Sequence, residues 1–216
     1  MPDRPALPVE LTSSGVVAIA RGRTTDHVAA AVEHLVAAGI NCVELTLTMP
    51  GAVATMASLV KNLGPTACIG AGTVLTAAQA RECIDAGARF LVAPSVVPDV
   101  VAVAREADLP CLPGALTPSE IVAAWRSGAA AVKLFPASLG GPRYLRDVRA
   151  PLPDIGLIPT GGVGIDDIGG YFAAGAIAVG LGSPLFGSAL ADGDLGALGV
   201  RARRVVAAIS SARASR

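Results

Sequence analysis

Lysine is rare in this chain. Lys61 and Lys133 are the only two, and Lys133 stands in Ala129-Ala130-Ala131-Val132-Lys133-Leu134-Phe135-Pro136, an almost wholly apolar run. Apolar surroundings disfavour an ammonium, and the neutral amine is the form that attacks a carbonyl. A lysine so placed points to Schiff-base chemistry; the plainer reading is a strand-end lysine that reaches water or pairs with a carboxylate. Glu44 occupies a similar run, Cys42-Val43-Glu44-Leu45-Thr46-Leu47. Period-two alternation puts Cys42, Glu44 and Thr46 on one face and Val43 and Leu45 on the other. A carboxylate facing the lysine could move protons through addition, dehydration and carbon–carbon cleavage. Its alternative role is a buried ion pair that only satisfies Lys133.

Other residues suit anions. The turns Thr160-Gly161-Gly162-Val163 and Gly180-Leu181-Gly182-Ser183 each close a short apolar run. Glycines let backbone N–H groups approach a phosphate, although they also serve ordinary tight turns. Arg21 and Thr73 end two further runs. Arginine offers a bidentate fork for a carboxylate, and Thr73 in Gly70-Ala71-Gly72-Thr73 adds a hydroxyl beside open backbone. Taken singly, they read as a surface arginine and a helix-capping threonine. His27 and His34 lie seven apart on one helical face, with no third residue nearby at metal-ligand spacing. Trp125 and Tyr144 fall within helical segments and read as packing residues.

A strand–helix rhythm must position these groups. Short apolar runs at 16–21, 42–46, 68–72, 90–93, 111–113, 131–135, 157–159 and 178–181 are bounded by Gly, Pro or Thr. Helical patterns fill 26–38, 52–62, 77–86, 98–107, 118–126, 142–148 and 166–174. Thr76, Thr117 and Asp166 offer capping chemistry, and Pro98, Pro118 and Pro142 suit first helical turns. One joint recurs as Ala38-Gly39-Ile40, Ala86-Gly87-Ala88, Ser127-Gly128-Ala129 and Ala174-Gly175-Ala176, a C-cap glycine feeding a strand. This rhythm predicts an α/β fold, a single (β/α)8 TIM barrel spanning 1–216. Its core covers about 15–190, and a closing helix covers about 195–211. A flavodoxin-like open sheet is the alternative. In a barrel, both glycine turns follow the seventh and eighth strands, where many barrels hold phosphate. The last five residues carry no apolar anchor and are expected to fray.

Composition narrows the partners. Seventeen basic residues balance seventeen acidic ones and are scattered, so neither nucleic acid nor an anionic membrane is indicated. No apolar run nears the ~20 residues of a membrane span. Pro, Asp and Arg interrupt residues 1–10 where a secretory signal needs an unbroken apolar stretch, so a cytoplasmic location is expected. Cys42, Cys68, Cys83 and Cys111 lack CxxC spacing and read as reduced core residues.

Over about residues 15–190 the chain resembles the 2-keto-3-deoxy-6-phosphogluconate/4-hydroxy-2-oxoglutarate aldolases, including their 6-phosphogalactonate branch. The resemblance rests on Val43-Glu44-Leu45-Thr46, Ile69-Gly70-Ala71-Gly72-Thr73-Val74-Leu75, Ala93-Pro94, Leu112-Pro113-Gly114, Val132-Lys133-Leu134-Phe135-Pro136 and Thr160-Gly161-Gly162-Val163, in the family's order. It implies a class I aldolase that needs no metal or cofactor, usually a homotrimer, with Lys133 as Schiff-base lysine and Glu44 as acid/base. It further implies carboxylate contacts near Arg21 and Thr73, substrate contacts at Pro94, Phe135 beside the imine, and phosphate at Gly161, Gly162, Gly182 and Ser183. Phosphogluconate aldolases commonly carry Arg where this chain has Thr48. Arg21-Gly22 and Gly141-Pro142-Arg143-Tyr144 look closer to the phosphogalactonate branch, which leaves the configuration at C4 open.

The expected activity is retro-aldol cleavage of a small-molecule phosphorylated keto acid, a six-carbon 2-keto-3-deoxy-6-phospho acid, to pyruvate and D-glyceraldehyde 3-phosphate. Two rivals differ in chemistry. A phosphate-binding barrel such as an epimerase or a thiamine-phosphate synthase would use Lys133 to bind an anion. A non-catalytic sugar-phosphate sensor would keep Lys133 and Glu44 as a buried pair only.

Overall fold

The computed structural model describes residues 4–215. Local signals set the helix ends. Thr117 accepts the backbone N–H of Glu120 while the Glu120 carboxylate accepts that of Thr117 at 2.8 Å, a reciprocal cap. Thr76 caps a second helix by accepting from Gln79 N–H. Gly39, Gly87, Gly128 and Gly175 all take the left-handed conformation in which the recurring helix-to-strand joint turns.

The parallel strands are β1 (Val16–Ala20), β2 (Cys42–Thr46), β3 (Cys68–Gly72), β4 (Leu91–Val92), β5 (Cys111–Leu112), β6 (Gly114–Ala115), β7 (Val132–Leu134), β8 (Leu157–Pro159) and β9 (Val179–Leu181). One sheet runs in the order β5-β4-β3-β2-β1-β9 and another runs β6-β7-β8. Two seams join them into a ring. β5 and β6 are halves of one barrel strand interrupted at Pro113, and Ala130 and Lys133 N–H donate to the Cys111 and Pro113 carbonyls. On the other side Ile177 N–H donates to Leu157 O, and Thr160 bridges to Gly180. The eight expected strands are all present, most a residue or two shorter at their ends.

Around the ring lie α1 (Val9–Ser14), α2 (Val28–Ala37), α3 (Ala52–Leu63), α4 (Ala77–Asp85), α5 (Pro98–Glu106), α6 (Pro118–Ser127), α7 (Gly141–Arg149), α8 (Ile168–Ala173), α9 (Ser183–Phe186), α10 (Ala189–Asp192) and α11 (Leu195–Ala214). Two apolar cores result. Outward residues such as Val43, Leu45, Ile69, Val132 and Leu157 pack beneath the helices. Inward residues Val17, Cys42, Cys68, Phe90, Val92, Leu112, Ala131, Ile158 and Ala178 fill the barrel with Leu11, which α1 inserts from below. A packed interior rather than a pore is what a ring of eight strands produces. All four cysteines are free and buried.

The structure corrects the reading of the sequence in several places. The helices α1, α9 and α10 were not foreseen; each is six residues or fewer, too short for a periodic signal. The pattern at 166–174 is a 3-10 turn, Ile165–Asp167, followed by α8. The tail does not fray from 212 onward, because α11 continues to Ala214 and the Arg213 guanidinium holds the carbonyls of Thr12 and Ser13 and lies over the Phe172 ring. Its anchor is polar and lies two hundred residues away in sequence. The final residue, Arg216, is outside the described residues. Tyr144 and Trp125 are packing residues: Tyr144 donates to Leu116 O at 2.7 Å, and Arg4 stacks on the Trp125 ring.

Candidate active site

The C-terminal ends of the strands surround a cavity of about 170 Å³. Its wall contains all ten residues singled out from the sequence: Lys133, Glu44, Arg21, Thr73, Pro94, Phe135, Gly161, Gly162, Gly182 and Ser183. Lys133 is central in β7, paired in register with Gly114 on one side and Ile158 on the other. It is 9% exposed, and its Nζ lies 5.2 Å from the centre of the Phe135 ring, which forms one wall of its approach.

Glu44 is central in β2 and 2% exposed. No ion pair joins it to Lys133, and its Oε1 is buried without a hydrogen-bond partner among the described residues. Burial pushes the Glu44 carboxyl above the usual range, while the charges of Lys133 and Arg21 pull it back only in part. The geometry therefore disfavours the alternative in which Glu44 exists to neutralise the lysine. A buried pair of that kind makes direct contact and satisfies its oxygens. A buried carboxyl on the wall of a cavity, its pKa raised by burial, can hold a proton and pass it on.

Thr73 follows β3 with φ 61°, a left-handed conformation that β-branched residues rarely adopt. Such strain costs on the order of 1–3 kcal/mol and concentrates at binding sites, where it aims a group the backbone would otherwise turn away. Arg21, one residue past β1, reaches the same rim. Across the cavity, Gly161 and Gly162 have φ 85° and 76°, and none of the described backbone hydrogen bonds is donated by their N–H groups. Ser183 opens α9, whose last carbonyls at Leu185 and Phe186 are held by the Arg201 guanidinium at 2.7 Å. Unpaired N–H donors on two turns make a cradle for an anion.

Sequence reasoning passed over Thr46, Thr48 and Thr160, which also line the cavity. Thr46 donates to Ala20 O at 3.3 Å and shares a 2.9 Å hydrogen bond with Thr48. Thr160 is 5% exposed, and its Oγ1 donates to Ile158 O. The signal was available for two of them: alternation already set Thr46 on the face of Glu44, and Thr160 precedes the Gly161-Gly162 turn. His27 and His34 are not among the residues of this wall; His34 Nδ1 is 3.0 Å from Ala30 O on its own helix. Among the described residues no group of three or more His, Cys, Asp or Glu is placed to hold a metal ion.

An amine, a carboxyl, an arginine and two glycine turns thus meet in one small cavity, and the chain can be compared with known proteins. The family model described as KDPG and KHG aldolase matches residues 9–199. A probable 2-dehydro-3-deoxy-6-phosphogalactonate aldolase of Rhizobium meliloti is 36% identical over 191 residues, 88% of this chain and 90% of that protein. The 2-dehydro-3-deoxy-6-phosphogalactonate aldolase of Escherichia coli is 35% identical over 81% of this chain and 86% of its own length. Among solved structures, a native KDPGal structure superposes with a TM-score of 0.87 at 32% identity, covering 92% of this chain and 96% of the other. A Legionella pneumophila KDPG aldolase, with pyruvate captured as a covalent carbinolamine, superposes at 0.81 with 27% identity over 91% of this chain and 96% of its own. The barrel, the cavity and the match along nearly the whole chain agree, and the chain belongs to the KDPG and KHG aldolase family.

Proposed function

We propose that this aldolase cleaves a 2-keto-3-deoxy-6-phospho sugar acid of the phosphogalactonate type to pyruvate and D-glyceraldehyde 3-phosphate, with Lys133 as the Schiff-base residue. The observation that carries the reading is the single cavity in which a buried lysine, a buried carboxyl and two glycine turns meet. The two phosphogalactonate relatives, and Thr48 where phosphogluconate aldolases carry Arg, support the choice of epimer.

In this scheme Arg21 and Thr73 hold the C1 carboxylate and the glycine turns with Ser183 hold the phosphate, so the substrate spans the cavity with C2 at Lys133. The Lys133 amine adds to C2, giving a carbinolamine that loses water to form the imine. The C3–C4 bond then breaks, its electron pair passing into the imine to give an enamine. The C4 hydroxyl loses its proton as the aldehyde departs. Protonation at C3 and addition of water release pyruvate and restore the amine. Glu44 takes and returns the protons of these steps, and Phe135 packs beside the imine and excludes water from it.

The assembly is proposed to be a homotrimer, following the family resemblance, with the catalytic apparatus complete in each barrel. No described helix is long and apolar enough to cross a membrane; a cytoplasmic location is proposed from the metabolic character of the family. An assay of aldol cleavage on both phosphorylated epimers tests the reading, paired with borohydride reduction in the presence of pyruvate. Faster cleavage of the galactonate epimer and a pyruvate-derived mass on Lys133 alone are expected. Preference for the gluconate epimer would overturn the choice of substrate, and an adduct on Lys61 or none would overturn the chemistry.

A further inference from the structure

Glu44 raises a question of support. Its Oε1 has no hydrogen-bond partner among the described residues and the side chain is buried, so hydrogen bonds to that oxygen cannot be what orients the carboxyl. The adjacent strand supplies the answer. In the ladder between β2 and β3, Glu44 pairs with Gly70 and Thr46 with Gly72, so Gly72 lies one inward step above the residue opposite Glu44. A Cβ placed on Gly72 would stand 2.5 Å from Glu44 Cγ and closer still to Cδ and Oε1. The carboxyl therefore occupies the volume that any other residue at 72 would fill.

Backbone conformation does not demand glycine here. Gly72 sits in a regular parallel strand and is not among the positive-φ glycines, so an L-residue could adopt its backbone without strain. Space alone requires it. The nearest atoms are all from one side chain, that of Glu44, and that side chain has rotamers in which to escape.

We propose that Gly72 is a positioning residue of the aldolase: its bare Cα is the seat that aims the Glu44 carboxyl into the cavity. A single methyl group at 72 swings the carboxyl off the reacting atoms while leaving the barrel and Lys133 in place. The proposal rests on Glu44 as the proton carrier, and its tests separate the two.

Gly72→Ala in the full chain is expected to lower turnover by about 10²–10⁴-fold, the usual contribution of a positioned acid/base. Borohydride should still fix pyruvate on Lys133, because the amine is untouched. The limb of the turnover–pH profile that Glu44→Gln removes should be missing from Gly72→Ala as well. Combining Gly72→Ala with Glu44→Gln should add less than threefold to the loss caused by Glu44→Gln alone, since an unseated carboxyl and an absent one are equivalent. Normal turnover by folded Gly72→Ala, or fully multiplicative losses in the double variant, would overturn the role of Gly72. If Gly72→Ala does not fold, Gly72→Ala combined with Glu44→Ala removes the colliding side chain and is expected to fold. Failure of that double variant would make the glycine structural and overturn the proposal. Unimpaired turnover by Glu44→Gln itself would instead overturn the reading of Glu44 on which all this stands.

Discussion

The lower and upper halves of the barrel interior are built from the same strands and the same inward face, yet they do opposite things. Two residues along β2 lead from Cys42 to Glu44, two lead from Ala131, just before β7, to Lys133 within it, and two beyond Ile158 of β8 stands Thr160. Below, Leu11, Val17, Cys68, Phe90 and Ile158 pack into one buried apolar cluster. Above, polar side chains surround an opening of about 170 Å³. β3 shows the contrast most sharply, since Gly70 makes room for the Phe90 ring and Gly72 makes room for the Glu44 carboxyl. One layer is packed apolar core and the next, on the function proposed above, bears the chemistry; a barrel so divided can change its reaction without rebuilding its base.

If that division holds, substitutions in the upper layer should change rates and those in the lower layer should change stability. The largest expected effect is at Lys133. Lys133→Arg keeps the charge but cannot form an imine, so cleavage should fall by at least about 10⁴-fold while thermal melting and circular dichroism stay close to those of the parent chain. Retained cleavage would move the chemistry out of the upper layer altogether.

Next is Glu44→Gln, with turnover expected to fall about 10²–10⁴-fold in a single-turnover assay. Its stability has a definite pH sign. Because burial raises the folded-state pKa of Glu44, the folded chain holds the proton to higher pH than the unfolded chain does. Both states are protonated below the ordinary carboxyl range. As pH rises from there through the raised folded-state pKa, the parent chain loses stability that the amide variant keeps. Denaturant midpoints measured at pH 4 and pH 8 should therefore fall less for Glu44→Gln than for the parent. A variant that instead melts far earlier at pH 8 would restore the ion-pair interpretation.

In the lower layer, Gly70→Ala drives a methyl group into the Phe90 ring at 2.5 Å and its backbone carbonyl at 2.6 Å. It should cost about 1–3 kcal/mol in urea unfolding, or prevent folding. Turnover per folded molecule, counted by borohydride trapping, should change less than tenfold. A large loss of rate without loss of stability would erase the boundary between the layers. The smallest effect is expected at the rim. Arg21→Lys replaces a bidentate fork with a point charge and should raise KM about tenfold with little change in kcat, because the carboxylate is bound alike in ground and transition states.

Most of the fold was legible because its signals are local. An apolar run of three to six residues bounded by turn residues marks each strand, and the repeated C-cap glycines mark where four of the helices hand over to the next strand. Lys133 and Glu44 were legible for the same reason: a charged residue inside an apolar strand contradicts its surroundings. The short helices α1 and α9 gave no such contradiction, and the anchoring of α11 depends on Arg213 meeting carbonyls of α1 across the whole chain.

By itself, then, the sequence determined the succession of β-α units, the two faces of the strand that carries Glu44, and which residues were chemically out of place in their strands. Periodicity and composition act over a few residues, so they survive in one dimension. Only the tertiary structure decided that Arg21, Glu44, Thr73, Lys133 and the two glycine turns share a single cavity, that Thr73 is held left-handed, and that the Glu44 carboxyl rests on the bare Cα of Gly72. Those facts depend on the register between β2 and β3 and on closure of the ring between β8 and β9. Register and closure come from packing all eight strands at once, which no local stretch of the chain encodes.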